Sequence, residues 1–110
     1  MAFSLLDSQL FSTLFNHAEV AEQFSDAHFV QYMVDVEAAL AIVQGELGII
    51  PQEAAAQIVA GTAVFTPDFD QLRRGLEKAG VPVSELVRQL RAQVGQDAAD
   101  YVHWGATTQD

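Results

Sequence analysis

The sequence contains no cysteine, so neither a disulfide nor a thiolate metal site can reinforce the fold. Cations are scarce and confined. Arg73, Arg74, Lys78, Arg88 and Arg91 are the full set, against 15 Asp and Glu. Residues 1–72 hold ten acids and no Lys or Arg and so carry the whole net charge of −10, whereas residues 73–110 hold five charges of each sign. A nucleic-acid binder needs clustered basic side chains to displace phosphate counterions, and a peripheral membrane helix presents a basic face to anionic lipid. Neither pattern is present, so no nucleic-acid and no membrane partner is expected. Long apolar runs are also missing: nothing approaches the roughly eighteen uninterrupted apolar residues of a membrane span, and the start lacks the basic stretch of a signal peptide. A cytoplasmic protein is the expectation. The 110 residues, half of them apolar, suffice for one domain with a modest core.

Alternating runs of Val, Ile and Thr are nearly absent, while Ala, Leu, Gln and Glu recur throughout, so the predicted fold class is all-α. A short helix is expected over residues 7–15, with Leu10, Phe11 and Leu14 on one side. The strongest element runs from Ser25, an N-cap followed by Asp26, to Gly48, with Pro51 beyond. Within it Phe29, Met33, Val36, Leu40, Val43 and Leu47 recur at spacings of 4, 3, 4, 3 and 4, a helical seam. Apolar residues outside the seam extend the apolar surface around most of the cylinder between Ala38 and Val43, which predicts burial on nearly all sides. Further helices are expected over residues 52–60, closed by Gly61; from Thr66-Pro67-Asp68 to Gly80; and from Pro82 or Ser84 to Gly95.

After Gly95 the character changes. The segment HWGATTQD, residues 103–110, gathers an imidazole, two adjacent hydroxyls, an amide and a glycine able to turn with positive φ. Thr107 or Thr108 is placed to N-cap a helix beginning at Gln109, and exposed N–H groups there attract a carboxylate or phosphate. The same residues also describe a capped turn with a packed Trp104 and a hydrogen-bonded His103. Spacing alone leaves both readings open.

HWGATTQD resembles the first signature of the fumarase/aspartase superfamily, a pattern of His, Gly, a Thr-Ser pair and Asp. The Trp after the His, with Gly-Ala-Thr and Gln-Asp, is most similar to the bacterial cycloisomerases of that superfamily. FSDAHFVQYMVDVEAALA (24–41), GIIPQEAA (48–55) and VSELVRQL (83–90) are similar to the same N-terminal domain. The resemblance implies a chain that is the N-terminal helical domain of a longer protein, with the central helical bundle and C-terminal domain absent. It also implies a homotetramer whose active sites draw on different subunits, and an enzyme of aromatic-acid breakdown that closes a tricarboxylate diene to a lactone without cofactor or metal. The acid/base groups belong to later segments, so no catalytic residue and no activity are expected of these 110 residues. Substrate-carboxylate binding is expected of Thr107 and Thr108, the Thr-Ser pair, with Gln109 and His103 beside them. Thr108 replaces the usual Ser, keeping a hydroxyl but adding a methyl that stiffens χ1.

Adenylosuccinate lyases of the superfamily carry a further His upstream of this signature, where Pro82 and Val83 stand here. That departure favours the cycloisomerase over a fumarate-releasing lyase. A third reading, of another class, is a non-catalytic helical interaction module. His17 and His28 have no Cys or His partner at helical spacing and are read as surface or capping residues. Glu37, among Val36, Ala38 and Ala39, needs a partner if buried, an interhelical or intersubunit hydrogen bond, or else lies on a solvated face. Asp70 and Arg74 are spaced for an ion pair on a solvated face.

Overall fold

The computed structural model describes residues 4–110, and every structured element among them is helical. The chain divides into two compact units, Met1–Tyr32 and Met33–Asp110.

In the first unit, α1 (Ser12–Phe15) and α2 (Ala18–Gln23) precede the opening turns of α3 (Asp26–Glu46). The helix expected over residues 7–15 is shorter than its apolar pattern suggests. The Ser8 hydroxyl accepts from the amides of Leu10 and Phe11, both at 3.2 Å, and this local competition with the helical ladder delays α1 to Ser12. Leu10, Phe11 and Leu14 are exposed. The α2 helix was not anticipated. Ser25 caps α3 as expected, its Oγ accepting from the His28 amide at 3.2 Å. The His28 ring stands 3.1 Å from that hydroxyl and 3.4 Å from Glu22, a capping role, and His17 is exposed at the start of α2.

The second unit holds the rest of α3, then α4 (Gln52–Ala63), α5 (Phe69–Ala79), α6 (Val83–Val94) and the one-turn α7 (Gln96–Ala99), which sequence reading missed. Each proline stands at a helix start. Pro51 and Pro82 precede α4 and α6, and Pro67 leads to Asp68, whose carboxylate accepts from the Gln71 amide at 3.1 Å. The α6 helix is central, packing on α4, α5 and α7, and Leu86, Leu90, Val94, Ile58, Ala98 and Val102 fill the space between them. The carboxylate of Asp70 pairs with Arg73 at 3.4 Å rather than with Arg74. That face is solvated, as read.

Two expectations are corrected. Gly61 does not close its helix: α4 runs on to Ala63, and Gly61 is buried inside it. A Cβ there would come within 2.6 Å of Val94 Cγ1, so the glycine serves the approach of α4 to α6 rather than a helix end. Nor is α3 buried on nearly all sides, and its apolar seam is largely exposed. Phe29, Val36, Val43 and Leu47 are 54, 58, 50 and 69% exposed. The buried stripe lies one residue later, at Val30, Val34, Glu37, Ala41 and Gln44, with the same 4-3-4-3 rhythm. A count of large hydrophobics does not single out this stripe, because it contains a carboxylate and an amide.

Candidate functional site

Those two polar residues hold the segment that sequence reading singled out. Glu37 and Gln44 are seven residues apart on one face of α3, about 10 Å along the axis. Glu37, 6% exposed, meets His103 Nδ1 with its Oε1 at 2.5 Å. The Gln44 amide donates to the Trp104 carbonyl at 2.7 Å. From α6, Arg91 donates to the Val102 carbonyl at 3.1 Å. Three consecutive residues, 102 to 104, are thereby fixed by side chains of two helices. His103 takes the left-handed backbone conformation, φ 62°, the one positive φ outside glycine among the described residues. Gly105 follows at φ 72° and completes the turn that its small size was read to permit.

Past that turn the chain closes on itself. Asp110 Oδ2 accepts from both the amide of Thr107, at 2.6 Å, and its hydroxyl, at 3.1 Å, while Thr107 Oγ1 accepts from the Gln109 amide at 3.3 Å. These bonds close a turn over residues 107–110; the helix expected to begin at Gln109 is not formed among the described residues. The Thr107 amide, then its hydroxyl, hold the Asp110 carboxyl below the usual Asp range, and proximity to His103 adds in the same direction. The Thr107 amide and hydroxyl, read from the sequence as open to an anion, already hold the Asp110 carboxylate.

A cavity of about 290 Å³ brings His103, Thr107 and Thr108 together. Glu37 and Asp110 complete its polar side, and Met33, Leu40, Val83 and Leu86 are among its apolar walls. Gln109 is exposed and is not part of the lining. Trp104 packs against Tyr101, ring centroids 5.2 Å apart, and is 44% exposed. None of the five cations lines the cavity. Glu37 is buried and bonds to a turn residue, His103, rather than to another helix as expected, and its second oxygen is buried without a partner. Among the described residues, no group of three or more His, Asp and Glu side chains is arranged to hold a metal, and no helix is long and apolar enough to cross a membrane.

Sequence reading missed the contributions of Gln44, Arg91 and Asp110. The signal available was the polar pair at positions 37 and 44, interrupting an otherwise apolar helical stripe at a spacing of two turns.

No family model matches the chain. Individual proteins do. It is 48% identical over 108 residues to a 3-carboxy-cis,cis-muconate cycloisomerase of Acinetobacter baylyi, covering 94% of this chain and 24% of that protein. It is 42% identical over 81 residues to an adenylosuccinate lyase of Methanothermobacter thermautotrophicus, covering 74% of this chain and 18% of that one. The crystal structure of beta-carboxy-cis,cis-muconate cycloisomerase from Acinetobacter calcoaceticus superposes with a TM-score of 0.84 at 45% identity, over 92% of this chain and 25% of the other. The chain thus spans about a quarter or less of the length of the relatives it matches, and it matches their N-terminal portion. It has the all-α fold of an N-terminal domain of the fumarase/lyase family, and in sequence it is similar to the 3-carboxy-cis,cis-muconate cycloisomerases of that family.

Proposed function

We propose that this chain is the N-terminal part of a cycloisomerase that converts 3-carboxy-cis,cis-muconate to a carboxymuconolactone in the breakdown of aromatic acids through protocatechuate. The observation that carries the reading is the meeting of His103, Thr107 and Thr108 at one cavity, in a chain 48% identical to such an enzyme. The reaction loses no atom of the substrate tricarboxylate and takes up one proton. One substrate carboxylate oxygen adds to an alkene carbon, the neighbouring carbon passes through an aci-carboxylate, and a proton delivered to that carbon completes the lactone.

In this reading Thr107, Thr108 and His103 hold substrate carboxylate, and Gln109 adjoins them. Substrate displaces the Asp110 carboxylate from the Thr107 donors, one carboxylate exchanged for another. A tricarboxylate also needs positive groups near it. The cavity lining contains Glu37 and Asp110 and no Lys or Arg, so charge compensation and proton transfer come from segments outside these 110 residues, assembled in a cytoplasmic homotetramer. No cofactor enters the chemistry, and the 110 residues alone have no turnover.

The test is to produce the longer protein containing this segment and assay lactone formation from 3-carboxy-cis,cis-muconate beside fumarate release from adenylosuccinate. Lactone formation is the expected outcome. The substitution Thr107→Ala should weaken substrate binding by about 1 to 3 kcal/mol, read in KM, the loss of a hydrogen bond to a charged group. Turnover of adenylosuccinate alone would assign the second reading, which the 42% identity to an adenylosuccinate lyase favours. A stable monomer inert on both substrates would make the domain a helical interaction module.

A further inference from the structure

Glu37 stands in the middle of the buried stripe of α3, where a carboxylate is costly unless another group compensates it. Among the described residues the only hydrogen bond of its side chain is to His103 Nδ1, and its Oε2 has no partner. The imidazole makes no other hydrogen bond among the described residues, so its Nε2 is uncommitted. Both side chains line the cavity shared with Thr107 and Thr108. On either side of His103 the backbone is fixed through the carbonyls of Val102 and Trp104, and the hydrogen bond that orients the ring itself is the one to Glu37. A carboxylate on one ring nitrogen determines which nitrogen carries the proton.

The geometry points to Glu37 as a positioning residue: its carboxylate holds the proton of His103 on Nδ1 and so presents Nε2 to a carboxylated ligand in the cavity. A core carboxylate kept only for packing has no need of an imidazole at the edge of a cavity, and replacing the pair by apolar residues would serve packing better. The part of the inference that concerns the ligand rests on the function proposed above. The part that concerns the ring does not.

The experiment therefore has two arms. In the first, imidazole nitrogen shifts of the ¹⁵N-labelled 110-residue chain are recorded above neutral pH and His103 is assigned with His103→Asn. The Nδ1–H form is expected, and Glu37→Leu, which leaves no acceptor beside Nδ1, should return the ring toward the mixture of a free imidazole. A wild-type His103 in the Nε2–H form overturns the inference. In the second arm, Glu37→Leu, His103→Asn and the double variant are assayed in the longer enzyme. Glu37→Leu should raise KM for 3-carboxy-cis,cis-muconate about tenfold with kcat within about twofold. In the His103→Asn background it should change KM no further. A general structural role would instead lower the melting temperature and leave KM unchanged, or give additive losses, and either result refutes positioning. Where the wild-type enzyme turns over no muconate, the proposed function falls, and the nitrogen shifts alone decide whether Glu37 sets the ring.

Discussion

The approach of α4 to α6 at Gly61 is open to a direct test, because two opposing effects of known size meet there. Replacing Gly61 by Ala inside α4 adds helix propensity worth about 0.8 to 1.0 kcal/mol. The new Cβ, however, comes within 2.6 Å of Val94 Cγ1 and 3.5 Å of Val94 Cβ. Val94 is buried and β-branched, so it cannot swing away as the end of a long side chain would. Overpacking of this kind costs about 1 to 3 kcal/mol. Sterics win. Gly61→Ala should destabilise by up to about 2 kcal/mol net, a fall of several degrees in melting temperature for a chain of this size. The sign should reverse once the obstacle is removed. In a Val94→Ala background, itself weakened by the loss of two buried methyl groups, Gly61→Ala should stabilise by about 1 kcal/mol. Urea unfolding of the four proteins, followed by circular dichroism, closes the double-mutant cycle and gives a coupling of about 1 to 3 kcal/mol. Equal effects of Gly61→Ala in both backgrounds would show that α4 and α6 do not meet at this point.

Two further predictions concern the 102–110 segment. Gln44→Leu should cost about 1 to 2 kcal/mol, because the Trp104 carbonyl loses its donor while the unpartnered Gln44 Oε1 is removed at the same time; unchanged stability and unchanged Trp104 fluorescence would show that the bond does not hold the segment. For Asp110 the folded carboxyl titrates below its unfolded value, so the turn is stabilised at pH above the ordinary Asp value of about 4 and loses that contribution as pH falls through the lower folded value. Hydrogen exchange at the Thr107 amide, corrected for its intrinsic pH dependence, should lose protection in that acid window, and Asp110→Asn should abolish the pH-dependent step.

The sequence marked the helix boundaries best where a boundary has a single physical cause. Ser25 caps with its hydroxyl, Asp68 with its carboxylate, and Gly80 adopts φ 79°, so each could be read from one residue. Gly61 misled because a glycine in a helix has two uses, ending it or admitting a neighbour, and only the position of Val94 decides between them. On α3 the period was legible and the phase was not. Stripes one residue apart share the same rhythm, and the one that faces the core carries Glu37 and Gln44 because a distant segment supplies their partners. The site shows the same division. Its motif, residues 103–110, stood out by composition, and His103, Thr107 and Thr108 do meet at one cavity. Glu37, 66 residues upstream, is set by tertiary contact, which no local pattern records, whereas Asp110 stands three residues from Thr107, within reach of a local reading.

The left-handed backbone at His103 makes a substitution scan at that position read two properties at once. Asn tolerates φ near +60° and removes the imidazole, so it reports on the ring alone. Val both removes the ring and strains the main chain between Val102 and Trp104, so its losses mix chemistry with geometry. A scan that ranks residues at 103 by polarity or size would therefore misassign its effects, whereas ranking them by tolerance of positive φ separates what the turn requires from what the imidazole contributes.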